Sequence, residues 1–77
     1  MDIERSENEK VRYAKIYPFG VRAKGLIEIR TAYDEKTYDW REPEVSVRDI
    51  EVRGITAAEQ LTKAFQMAEK IAREYKR

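Results

Sequence analysis

The 77-residue sequence contains no cysteine and no histidine. The first absence excludes a disulfide framework, a thiolate metal site and a cysteine nucleophile. The second removes the commonest general base, proton shuttle and zinc ligand. Glycine is scarce, and Gly20, Gly25 and Gly54 are too dispersed for a phosphate-cradling loop. No apolar run is long enough to span a bilayer. The opening residues Met1 to Arg5 are polar and acidic, unlike a secretory signal, so the expected compartment is the cytoplasm. The acidic residues Asp34, Glu35, Asp39, Glu42 and Glu44 offer oxygen ligands but lack the calcium-loop pattern, and they read as a solvated hairpin face. No enzyme, metal, cofactor or small-molecule substrate is therefore expected.

What remains is a hydrophobic content of 42% and a charged content of 40%. That is enough apolar material for one small domain with a thin core, and it resembles a thermophile composition. The net charge of +1 conceals blocks of opposite sign. Residues 10–30 carry six cations against one acid, whereas residues 31–51 carry seven acids against three cations. A basic block of this kind matters more than net charge for steering a polyanion.

Residues 1–9 show no periodicity and are expected to form a flexible acidic arm, with residues 10–77 as one sheet-plus-helix domain. Val11 to Tyr17 is β-branched and aromatic and stops at Pro18 and Gly20, as a strand does at a turn. From Val21 to about Tyr33, period-two alternation sets Ala23, Gly25, Ile27, Ile29 and Thr31 against Arg22, Lys24, Leu26, Glu28 and Arg30, giving one apolar face and one predominantly basic face. Asp34-Glu35-Lys36 reads as a turn, and Thr37 to Trp40 as a third strand. Val45 and Val47 then alternate with polar residues, and the phase slips by one before Ile50 and Val52. That slip fits either a bulge or a turn between two short strands.

Thr56 and Glu59 have capping-box spacing, opening an amphipathic helix from about Ala57 to Lys76. Ala58, Leu61, Phe65, Ala68, Ala72 and Tyr75 recur at steps of three and four, widened by Ala57, Ala64 and Ile71. Arg73, Lys76 and Arg77 suit the negative end of the helix dipole. The fold class is thus α+β: a small antiparallel meander of three to four strands followed by one C-terminal helix. Because so short a chain has little core, part of the helix seam is expected to meet a second copy, through Leu61, Phe65, Ala68, Ala72 and Tyr75.

Tyr13, Tyr17, Phe19 and Tyr33 are interleaved with Lys10, Arg12, Lys15, Arg22, Lys24 and Arg30. Rings mixed with cations on a sheet can stack unpaired bases and hold phosphates together. The competing reading makes the rings cross-strand pairs and the cations a soluble coat, with the helix docking a partner protein.

The strings Lys10-Val11-Arg12-Tyr13-Ala14-Lys15-Ile16, then Phe19, then Lys24 to Arg30 with Tyr33 resemble the single-stranded DNA-binding domain of the positive cofactor 4 family of transcriptional coactivators. Arg53-Gly54-Ile55-Thr56 with Glu59-Gln60 is similar to the way that family begins its helix. The resemblance implies a curved four-stranded sheet followed by a helix, a homodimer formed through the helices, and single-stranded DNA or RNA bound with slight sequence preference. It also implies nucleic-acid contacts at Lys10, Arg12, Phe19, Lys24, Arg30, Tyr33 (where the family usually has Trp) and Arg53. Trp40 is a further candidate ring on the neighbouring hairpin.

Overall fold

The computed structural model describes residues 1–76; Arg77, counted above among the cations of the last helical turn, lies outside them. The chain runs β1 (Asp2–Glu7), β2 (Val11–Tyr17), β3 (Leu26–Asp34), β4 (Asp39–Trp40), β5 (Glu44–Arg48) and α1 (Ile55–Tyr75). All strand pairings are antiparallel, in the order β1-β2-β3. The far side of β3 is shared by two short strands in tandem. β4 pairs with its end at Tyr33 and Asp34, and β5 pairs along Leu26 to Arg30. The fold is α+β, an antiparallel sheet followed by one C-terminal helix.

The tandem arrangement has a local cause. Between the pairs Tyr33↔Trp40 and Arg30↔Glu44, β3 spends two residues and its partner spends three. Arg41, Glu42 and Pro43 therefore form a bulge, which accommodates a proline that could not donate to the ladder. The Arg41 amide still donates to Ala32 O at 2.9 Å, and the buried Thr31 hydroxyl donates to Arg41 O. Asp49, with φ of 53°, then ends β5. The phase slip noted near Val47 and Ile50 is thus neither a bulge nor a turn between two strands: β5 ends there with no strand after it among the described residues, and the bulge lies upstream.

The first nine residues depart from the expected irregular arm. Asp2–Glu7 pairs with β2 from Asp2↔Tyr17 to Glu7↔Arg12. Asn8 closes the hairpin by accepting from the amides of Lys10 and Val11 through its side-chain oxygen. Every residue of β1 is exposed, so no apolar alternation announces it. Its cross-links to the helix are polar: Arg5 donates to Glu74 at 2.9 Å and lies over the Tyr75 ring.

The core lies between α1 and the middle of the sheet. Ala14 and Ile16 of β2 meet Ile29 and Ile27 of β3 as cross-strand pairs, and all four are fully buried. Ala64, Ala68, Ile71 and Tyr75 cover them from the helix. These helix positions are spaced by four, three and four, one stripe of a 3.6-residue period. The helix begins two residues before the expected start. Gly54 takes the N-cap position at φ of 89°, and no side chain caps the helix, so the expected Thr56–Glu59 capping box does not form.

Core membership sets the mutational cost. Ile29→Ala should lose about 2–5 kcal/mol of unfolding free energy. Ile3→Ala, on β1 and 37% exposed, should lose under about 1 kcal/mol. Urea denaturation followed by circular dichroism measures both, and equal losses would contradict this placement of the core.

Candidate nucleic-acid interface

The seven residues singled out as nucleic-acid contacts fall into four places. Lys10 lies in the exposed β1–β2 turn, and Arg30 lies exposed in mid-β3. Arg12 and Tyr33 sit on the helix side of the sheet. Phe19, Lys24 and Arg53 come together, although they are far apart in sequence. They line one shallow cleft of about 410 Å³, together with Asp49, Glu51 and the helical residue Ala57.

Gly25 positions the Phe19 ring in this cleft. Its φ of +121° lies in the region that favours glycine, and a Cβ there would stand 3.4 Å from Phe19 Cδ2 and 3.2 Å from Ile50 Cδ1. The half-buried ring therefore packs edgewise onto the backbone, leaving the rest of it facing the cleft. The floor near Arg53 is the start of α1, whose first amides have no side-chain cap. Uncapped amides and the positive end of the helix dipole favour an anion, and Lys24 and Arg53 add cations. Arg53 pairs with Glu51 at 3.3 Å, but both side chains are largely exposed. Such a pair contributes little and yields readily to a phosphate.

Arg12 and Tyr33 are engaged elsewhere. Arg12 donates to the Tyr75 carbonyl at 3.1 Å, and its guanidinium lies 3.9 Å from the Trp40 ring centroid. Tyr33 meets Trp40 edge to face, with centroids 5.6 Å apart. Arg12 thus ties β2 to the β4 hairpin and to the C-terminal end of the helix, where a cation is favoured. Trp40, the further candidate ring, belongs to this clamp. Since Trp40 is the one tryptophan, its emission reports on the clamp. Arg12→Ala should shift that emission to the red and cost about 1–3 kcal/mol; an unchanged spectrum and stability would remove Arg12 from this role.

The sheet face opposite the helix is open. Its rows read Ser6, Tyr13, Arg30, Glu44, and then Glu4, Lys15, Glu28, Ser46. Tyr17 and Arg48 complete the face near the β2–β3 loop. The sequence alternation made this face predominantly basic, but Arg22 and Lys24 lie in the loop before β3 begins at Leu26. The acids interleave with the cations, and Arg48 approaches Glu28 at 3.7 Å. Arg48 went unnoticed in the sequence because it sits within the acidic block. Its alternation with Glu44 and Ser46 was the available signal.

Tyr13 donates to Glu28 at 2.6 Å. That hydrogen bond, followed by desolvation and the Glu28 charge, raises the hydroxyl pKa above its ordinary value of 10.0. A raised pKa in the folded state means the bond's contribution is complete below the ordinary value and is lost as pH rises through the raised one. Tyr13→Phe should therefore lose less stability than the parent chain in thermal melts as pH rises through and above the ordinary tyrosine value of 10.0. Parallel losses in the two proteins would contradict the linkage.

The expected dimer seam is divided as well. Ala68 and Tyr75 are each 2% exposed and are used up by the protomer's own core. Leu61 and Ala72 are half-buried, and Phe65 is exposed on the helix flank. Among the described residues no group of three or more carboxylates is placed to hold a metal ion. No helix among them is long and apolar enough to cross a membrane. Compared with known proteins, the chain matches no family model, and no curated protein and no solved structure shows significant similarity to it.

Proposed function

We propose that this chain is a non-catalytic protein that binds single-stranded nucleic acid in the cleft at the start of α1. The observation that carries the reading is the convergence of Phe19, Lys24 and Arg53, three of the contacts that the resemblance implies, drawn together from separate segments. Phe19 stacks on an unpaired base, while Lys24, Arg53 and the uncapped amides of α1 take the adjoining phosphate. The order of elements, an antiparallel sheet and then one helix, is the order that the resemblance to the positive cofactor 4 family implies. Arg30 and Lys10 lie outside this minimal site, and Arg12 and Tyr33 serve the clamp.

Asp49 and Glu51 share the cleft, so affinity rests on stacking more than on charge. Two phosphate-facing cations give a shallow salt dependence, a slope near about −1.4 in log–log form. A second reading, a protein-interaction module, is favoured by the alternating charges of the open face, which suit a protein surface better than a polyanion.

Fluorescence anisotropy of a labelled single-stranded oligonucleotide, beside a matched duplex, separates the two readings. Phe19→Ala should weaken single-strand binding by about 1–3 kcal/mol. Arg53→Ala and Lys24→Ala should each reduce the slope by about 0.7, whereas Arg30→Ala leaves it unchanged. Absence of binding at low salt, or equal affinity for the duplex, would overturn the proposal and favour a protein partner.

A further inference from the structure

The outer edge of β5 is bare. All five residues are exposed, and Val45 and Val47, on the helix side, remain 48% and 46% exposed. Phe65 lies eleven residues before Lys76, three helical turns, and therefore on the same flank of α1. Lys76 reaches Glu42 at 3.2 Å, so this flank overhangs the β4–β5 side. Val45, Val47 and Phe65 are thus exposed apolar residues on one side of the molecule. Exposed edges of this kind template strand pairing unless they are blocked.

The backbone pattern shows which groups the edge presents. The Ala32 carbonyl accepts from Arg41 of the β4–β5 segment, whereas the Tyr33 amide donates to Lys10 on the β2 side. Even-numbered residues of β3 therefore direct their polar groups toward β5, and their partners Glu44, Ser46 and Arg48 direct theirs inward. The N–H and C=O groups of Val45 and Val47 point outward.

We infer that β5 pairs antiparallel with β5 of a second copy about a two-fold axis at Ser46. In this register the outward groups of Val45 meet those of Val47 of the second copy, forming a hydrogen-bonded pair on each side of the axis. Glu44 stands opposite Arg48 of the second copy, and Arg48 opposite its Glu44, so the charges are self-complementary. The neighbouring symmetric registers fail. One sets Val47 against Pro43, which has no N–H, and the other sets Val45 against Asp49, whose φ is 53°. The exposed ion pairs select register more than they add affinity. The four valines then form one apolar strip across the join, on the side that carries the exposed Phe65 of each copy.

Pro43 and Asp49 confine the pairing to five residues, so two copies close on each other. The opposite edge, β1, carries Asp2, Glu4 and Glu7, whose like charges oppose the same pairing there. The expected helix-mediated dimer is replaced by one in which the helix contributes its Phe65 flank alone. The inference is independent of the nucleic-acid reading, and its test contains no nucleic acid.

At the axis Ser46 faces Ser46 in a non-hydrogen-bonded pair, where Cα atoms stand about 4.5 Å apart, within disulfide range. The chain has no cysteine, so Ser46→Cys introduces a single reporter. Analytical ultracentrifugation of the parent chain should give twice the 9.2 kDa protomer mass. Mild oxidation should convert Ser46→Cys almost completely to a covalent dimer, at least about tenfold faster than Glu4→Cys on β1. Val47→Pro removes an outward donor and leaves the β3 ladder intact; it should raise the dissociation constant at least about tenfold with an unchanged circular dichroism spectrum. A monomer persisting to about 100 μM, or a dimer in which the two cysteine variants cross-link at equal rates, would overturn the inference. The cross-linking comparison stands even if Val47→Pro fails to fold.

Discussion

One amphipathic helix has to close the one core cluster among the described residues, and a helix about 10 Å wide covers little more than two strands. Ala64 and Ala68 let it approach closely, while Ile71 and Tyr75 fill the space above Ala14, Ile16, Ile27 and Ile29. Everything outside that footprint is held by other means. β1 hangs on ladder hydrogen bonds and on Arg5, and the β4 hairpin is clamped by Arg12. β5 keeps two half-exposed valines, and the far face of the sheet keeps alternating charges. The cleft, the open face and the bare edge all follow from how narrow the cover is.

The parts that could be read from the sequence are those where hydrophobic burial imposes a period. β2, the body of β3 and the helix stripe each bury one face, so alternation by two or by 3.6 residues reveals them. β1 buries nothing and carries no such signal; its pairing depends on an Asn8 turn and on Arg5 reaching a residue nearly seventy positions away. The start of α1 misled for a different reason. Capping-box spacing at Thr56 and Glu59 is a local preference, and the Gly54 turn that brings the chain over the sheet end sets the boundary first. The bulge at Arg41 to Pro43 answers a proline on an edge strand, and its position depends on the Thr31 hydroxyl, which no one-dimensional pattern displays.

The candidate site was legible in chemistry but not in geometry. Rings and cations interleaved along residues 10–33 do not share one surface, because successive strand residues face opposite ways and the β2–β3 loop ends the alternation. Arg12 and Tyr33 fell to the helix side and became part of the clamp with Trp40. Phe19, Lys24 and Arg53 converged because Gly25 lets the loop fold back and Gly54 turns the chain beside it. Tertiary placement, rather than residue type, separates a stacking ring from a structural one.

The dependence of the whole on that single helix is open to direct measurement by amide hydrogen exchange, resolved residue by residue in dilute solution. The account predicts that the β2–β3 ladder and the amides of Ala68 and Ile71 exchange slowest. β1, β4 and the first two turns of α1 should exchange well before them, at rates that reflect local opening. Uniform protection along the full helix and across every strand would contradict it, because the core would then extend beyond the two strands that α1 covers.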